Sequence, residues 1–373
     1  MDSSTANKTR NPKPVALGIG LVSLDVILED KSSHPHVAAG GTCGNVMTIL
    51  SRFGWNARPV GRLADDNVAS IVMSDLERWD VDTSWMRLRP AARTPVIVQR
   101  IRKDTSGIPF HTFSFSCPSC GKRLPSFQPV KADSVQDAIS SVNWRADVLF
   151  VDRVSRSSIS LAEAAVEKGA IVFFEPCGIS NKRLFDELLR LSHIVKYSQG
   201  RLFDIGELDW QPQMLLEIQT LGRGGLRFRT TLDQSYKRWR SLAAVQPERL
   251  KDTAGCGDWL SGGLINGVCR GGLRRLKGCT FERLLGGLSF AQGLAAWNCG
   301  FIGPRGGMYG QSPDEFSKMV RRLQLGKAAV CATESGSDER PNYVNLICDI
   351  CAPSDQLKES IASMVSSSPS VLN

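Results

Sequence analysis

Short apolar runs rich in β-branched residues alternate with longer amphipathic ones, and this alternation most narrows what the chain can become. "VALGIGLVSLDVIL" (15–28) is a continuous apolar run with glycines and reads as one buried strand. "GNVMTILSRFG" (44–54) has helical spacing and stops at Phe53-Gly54; "ARPVGRLADD" reads as a strand and turn, and "VASIVMSDLERWDV" as a helix. Farther on, "ADVLFVD" (146–152), "AIVFFEP" (170–176) and "HIVKYS" (193–198) read as strands separated by helical stretches. "LLEIQTLGRGG" (215–225) adds a strand and a glycine turn, and further strands follow in "LRFR" and "YKRWRSLAA". A βαβα order predicts an α/β fold: a mainly parallel sheet with helices on both faces.

Between about 86 and 128 the rhythm changes. "TPVIVQRIRK" and "GIPFHTFSFS" resemble two antiparallel strands around a "DTSG" turn, and "CPSCGKRLPSFQP" follows without a helix. This is a small β excursion of the kind that covers a pocket. Residues 1–14 lack the apolar middle of a signal peptide and read as a flexible arm. The domain expected over 15–325 is followed by a Ser-rich, irregular tail (326–373), with a linker near 331–340 expected to be disordered.

No apolar run reaches membrane-spanning length, so no membrane partner is expected and a cytoplasmic location is the default. The net charge of +9 concentrates in 87–103, 223–240 and 270–278, a surface suited to nucleic acid or to a phosphorylated small molecule. No nucleic-acid motif accompanies these stretches and aromatic content is 7%, so they read as solvated surface. Eleven cysteines, an odd number, show no secreted-scaffold rhythm; Cys43, Cys177 and Cys269 read as small core residues.

The densest chemistry lies in "DTAGCGDW" (252–259), just before an apolar helical run. A helix start carries unpaired N–H groups and partial positive charge, and Gly255, Cys256 and Gly257 let the backbone approach an anion there. A carboxylate at Asp258 is consistent with this if it takes a proton while the N–H groups hold a transferring phosphoryl group; the alternative is a tight turn capped by Asp258. No P-loop string occurs.

"DTAGCGDWLSGGL" resembles the D-T-x-G-A-G-D signature of the ribokinase/PfkB carbohydrate kinases. "AAGGTCGNVMTILSRFGWNARPVGRLADD" (38–66) resembles that family's G-G-x-x-x-N segment and the stretch after it, Gly18 to Asp25 its first strand, and "QTLGRGG" (219–225) its nucleotide-side turn. Order and spacing agree over about 15–322. The resemblance implies a ribokinase-like three-layer fold with a β lid, ATP with Mg²⁺ as cofactor, and a sugar or nucleoside as acceptor. It makes Asp258 the base and Ala254 to Gly257 the anion hole, with Cys256 a small filler for the usual alanine. Asp25, Gly40, Gly41 and Asn45 become the sugar-contacting set; Asn45 as a simple helix cap is the other reading. Thr220, Gly222 and Gly225 fall on the ATP side, Asp252 near a monovalent cation or as a brace of the turn, and the lid becomes a possible homodimer contact.

Two departures stand out. Where the family carries N-x-x-E, this chain has Ser198, Gln199, Gly200 and Arg201, so the metal–phosphate arrangement changes or transfer weakens. "FFEPCG" likewise has Glu175 and Cys177 where D-P-N is usual. Within the lid, Cys117 and Cys120 form a C-P-x-C-G shape suited to zinc, which a second pair, Cys348 and Cys351, or a second lid could complete; four unrelated thiols is the alternative. The expected function is phosphoryl transfer from ATP to a sugar hydroxyl. A nucleoside kinase, or a catalytically weak sugar or nucleotide sensor, are the rivals.

Overall fold

The computed structural model describes residues 12–29, 35–141, 145–201, 208–232 and 238–327. Cys348, Cys351, the 331–340 linker and most of the expected arm and tail therefore lie outside the described residues.

The first apolar run does not make one strand. It divides into β1 (Val15–Ile19) and β2 (Ser23–Glu29), which belong to different sheets. The break is at Gly20–Val22: Leu21 N donates to Asp152 Oδ1 at 2.9 Å, so its N–H goes to a carboxylate instead of a strand ladder. A Cβ on Gly20 would lie 1.5 Å from the same oxygen.

β3 (His36–Gly40), α1 (Thr42–Arg52), β4 (Asn56–Ala64), α2 (Asn67–Arg78) and β5 (Met86–Arg89) follow, then β6 (Val96–Lys103) and β7 (Pro109–Ser114). Next come α3 (Ala132–Ser140), β8 (Val148–Val151), α4 (Arg156–Glu167), β9 (Ile171–Phe174), α5 (Lys182–Leu191), β10 (Ile194–Ser198) and β11 (Leu216–Thr220). The described chain ends with β12 (Leu226–Thr230), β13 (Arg240–Leu242), α6 (Cys256–Val268), α7 (Gly272–Lys277), α8 (Phe281–Asn298), α9 (Gly306–Tyr309) and α10 (Pro313–Gln324).

Nine strands form the main sheet in the order β13-β12-β11-β10-β9-β8-β1-β4-β5, parallel from β11 to β5. Alternate residues face opposite sides. Ala16, Phe150, Phe173 and Ile194 pack with Val46 and Leu50 of α1, Leu264 of α6 and Leu288 of α8. Leu17, Leu149, Val172 and Val195 pack with Val135, Ile159 and Phe185 of α3, α4 and α5. The three layers are helix, sheet, helix.

A second sheet, β3-β2-β6-β7, holds the strands expected for the lid, and its make-up differs from the expected excursion over 86–128. Met86–Arg89 pairs with β4 and extends the main sheet, while β2 and β3 come from the N-terminal region. One face of this sheet (Leu24, Val26, Val37, Ala39, Val98) packs on Val68, Val72 and Leu76 of α2. By the same alternation Asp25, Ile27 and Gln99 turn the other way, toward α6.

Candidate active site

Asp258 sits in the first turn of α6, not at its cap. The cap is Gly255, left-handed at φ +75°, where a Cβ would lie 2.2 Å from the Pro304 carbonyl oxygen. Only glycine fits, and the resulting turn leaves the helix-start N–H groups without intrahelical acceptors. The half-buried Asp258 accepts a hydrogen bond from Asn45 Nδ2 at 2.7 Å through Oδ2. Burial and then the nearby Glu175 carboxylate push it up to about 8, against the pull of Asn45, Lys196 and Arg201.

Beneath this turn lies a buried ion pair that sequence reasoning missed on its cationic side. Lys196 Nζ of β10 donates to Glu175 Oε1 at 2.7 Å and to the Gly257 carbonyl at 3.1 Å; Ser261 Oγ donates to Glu175 Oε2 at 2.6 Å. A lysine inside the apolar strand "IVKYS" was the available signal. Polar residues end successive parallel strands here: Asp152 after β8, Glu175 after β9, Ser198 on β10, Thr220 on β11. That is the edge where α/β sheets bind ligands. Cys177, expected in the core, is exposed, whereas Cys43 and Cys269 are buried as expected.

The residues expected to contact the acceptor lie on β2, β3 and α1 or at their junction. Ser23 Oγ donates to Asp25 Oδ1 at 2.9 Å, and burial pushes Asp25 up to about 6 against the Ser23 hydrogen bond and the Arg305 charge. A Cβ on Gly40 would fall 2.0 Å from the Asp25 carboxyl carbon; Gly41 has φ +78° and would meet the Leu21 carbonyl oxygen at 2.4 Å. Asn45 lies inside α1 with its side chain turned to Asp258 and Arg305, so the helix-cap reading is corrected. Asp25, Ala38, Ala39, Asn45, Arg305 and Tyr309 line one small cavity. Arg305, Tyr309 and Asp75 escaped the sequence reading, although an arginine set among glycines in "GPRGGMYG" was visible.

Asp252 ties the lid to this turn. Its Oδ2 accepts from Gln99 Nε2 of β6 at 2.7 Å and from Gly303 N at 2.9 Å, and its Oδ1 accepts from Ala254 N at 3.0 Å. His111 Nδ1 of β7 lies 3.5 Å from Asp252 Oδ1 and 3.2 Å from Thr253 Oγ1. Burial opposes the Asp252 charge, yet hydrogen bonds from His111, Ala254 and Gly303 hold the carboxyl below the usual range. These bonds fit the bracing role.

No protein-family model matches the chain. A fructokinase of Klebsiella pneumoniae is 28% identical over 286 residues, which cover 70% of this chain and 86% of that protein. A fructokinase double mutant of Vibrio cholerae O395, solved in fructose, ADP and potassium ion bound form, superposes with a TM-score of 0.58 at 20% identity, covering 79% of this chain and 95% of that one. A Burkholderia thailandensis nucleoside kinase in complex with inosine gives 0.58 at 17% identity, covering 84% and 99%. The chain is thus similar in sequence to fructokinases and in fold to ribokinase-like kinases, in line with its resemblance to the ribokinase/PfkB carbohydrate kinases.

The turn that the resemblance assigns to the nucleotide side follows β11. Ser198 and Thr220 are paired neighbours on β10 and β11. Gly222 (φ +56°) and Gly225 (φ +89°) take backbone shapes other residues rarely adopt, and a Cβ on Gly225 would lie 2.1 Å from the Leu242 carbonyl oxygen. Cys256 lies with its Sγ 3.2 Å from that of Cys299, on the helix side of the turn. Cys117 is buried and Cys120 exposed, in a turn closed by Cys117 N donating to the Lys122 carbonyl at 2.8 Å. Among the described residues no group of three or more metal-ligating side chains gathers, so the described lid offers zinc two thiols. No described helix is long and apolar enough to cross a membrane.

Proposed function

We propose that this kinase transfers the γ-phosphoryl group of ATP to a hydroxyl of a sugar, with Asp258 as the base. The observation that carries the reading is the Asn45–Asp258 hydrogen bond of 2.7 Å, since Asn45 also lines the cavity beside Asp25. An acceptor hydroxyl there gives its proton to Asp258, while helix-start N–H groups and the Arg201 cation take up phosphoryl charge. Gln99 and His111 hold the lid down on Asp252, which keeps water from the acceptor. The similarity to fructokinases supports a hexose acceptor. Potassium in the Vibrio cholerae structure supports a monovalent cation as a further cofactor.

Magnesium bound with ATP would neutralise phosphate charge. The end of β10, however, offers Ser198 and Arg201 where the family pattern has asparagine and glutamate, and both Glu175 oxygens already accept hydrogen bonds. Arg201 there meets phosphate directly.

One observation favours a nucleoside acceptor. Phe113, 52% exposed on β7, pairs with Gln99 and so shares the inward face of the lid, where a base could stack. ATP consumption against sugars and nucleosides separates the two. Asp258→Asn should lower kcat about 10²–10⁴-fold on the best acceptor. Full activity in that variant would refute the mechanism.

A further inference from the structure

The acceptor cavity contains a guanidinium that the sugar-contacting motif does not include. Arg305 is 2% exposed. Its Nε donates to Asn45 Oδ1 at 3.0 Å, and its Nη2 donates to the Ala39 carbonyl oxygen and, at 2.8 Å, to Asp75 Oδ2. Asp75 is itself fixed by Ala39 N at 2.9 Å and by the Tyr309 hydroxyl at 2.8 Å. Nη1 alone is buried with no hydrogen-bond partner among the described residues. A buried charged donor left unpaired is costly, and native proteins seldom keep one that nothing satisfies.

The cavity beside it decides what can satisfy it. Asp25 and Arg305 line the same space, and each charge is felt by the other. The room open to the centre of a water-sized group is ≈ 10 Å³, enough for about one oxygen atom. A carboxylate or phosphate would set its charge against Asp25 and is too large. A methylene would leave Nη1 unanswered and add nothing to the hydrogen bond Asp25 accepts from Ser23. A hydroxyl answers both, donating to Asp25 and accepting from Nη1.

We infer that Arg305 is a specificity-determining residue: with Asp25 it reads one particular hydroxyl of the acceptor. This rests on the sugar-kinase reading for the identity of the ligand. Asp75 and Tyr309 aim the guanidinium, and the Nε bond holds the Asn45 amide with its NH₂ toward Asp258.

The test is calorimetric binding of D-fructose, D-ribose and their monodeoxy analogues to the full chain without nucleotide, with phosphoryl transfer measured in parallel. Wild type should bind a parent sugar and lose about 100-fold or more in affinity at one deoxy position, because that analogue leaves the buried Nη1 charge without an acceptor. Arg305→Lys, checked for folding by circular dichroism, should weaken the parent sugar and leave the deoxy analogue nearly unchanged, so discrimination collapses. Equal weakening of parent and analogue would make Arg305 merely structural and overturn the inference. If the variant does not fold, the wild-type series decides alone: losses within about threefold at every position overturn it. Binding with the expected discrimination but no phosphoryl transfer removes the kinase reading and supports the Arg305 role. Transfer without discrimination does the reverse, and failure to bind any of these sugars overturns both.

Discussion

Asp258 carries opposing demands at a single carboxyl. As the proposed base it must be ionised to accept a proton, yet burial and Glu175 raise it to about 8. Since the ionised form is the active one, kcat/KM for the acceptor should climb with pH through about 8 and be lost as pH falls below it. Asn45 hydrogen-bonds the ionised form, so Asn45→Ala should move that limb to higher pH; an unmoved limb would detach Asn45 from the base. The same shift bears on stability. The folded value lies above the unfolded one, so the contribution is full below about 4 and is lost as pH rises toward 8. Asp258→Asn should therefore raise the neutral-pH melting temperature, on the order of 2–4 °C for each kcal/mol relieved, while activity disappears. Asp258, Gly255 and Asn45 were legible because each stands in a short linear pattern. Arg305 and Asp75 were not: they lie 230 positions apart and acquire meaning only when the turn before α9 reaches α2. Lys196 sat in plain view, but a lone lysine in a strand does not name its partner.

At the scale of elements, the lid is held by backbone geometry as much as by side chains. Gly40 closes β3 against Ser23 in register, and its missing Cβ is what admits the Asp25 carboxyl. Gly40→Ala should thus raise KM for the acceptor about 10-fold or more, reflecting roughly 1.4 kcal/mol of lost binding per decade, with ATP affinity unchanged in a parallel titration. Loss of both affinities would mean a wider collapse than Asp25 displacement. His111→Ala removes the β7 side of the Asp252 contact and should increase sugar-independent ATP hydrolysis, since the lid then excludes water less well. Hydrolysis equal to that of wild type would show the latch to be unnecessary. The sequence order foretold the antiparallel β6–β7 hairpin, whose turn residues are local. It did not foretell that β2 leaves the main sheet, because the break at Gly20–Val22 depends on Asp152, 131 residues beyond Leu21.

For the molecule as a whole, the three layers were readable because each strand alternates its buried side chains between two helical layers, a pattern contained in composition and spacing. What joins the layers at the site was not readable. Glu175 follows β9, Lys196 lies within β10, and Ser261 and Gly257 belong to α6, so one buried ion pair pins the sheet to the helix that carries the base. The Lys196 and Glu175 side chains are 2% and 6% exposed. Removing one partner of such a pair strands the other charge, at a cost of about 3–5 kcal/mol, whereas replacing both with apolar groups costs far less. Lys196→Met should accordingly lower unfolding free energy by that amount in denaturant titration, and adding Glu175→Leu should recover a substantial part despite the orphaned Ser261. Lys196 also lowers the Asp258 carboxyl, so the single variant should push the ascending limb of the pH profile still higher. A stability loss under about 1 kcal/mol, with the limb unmoved, would show that the pair neither pins the layers nor tunes the base. The two readouts separate these jobs: the first follows from burying a charge, the second from where that charge lies relative to Asp258.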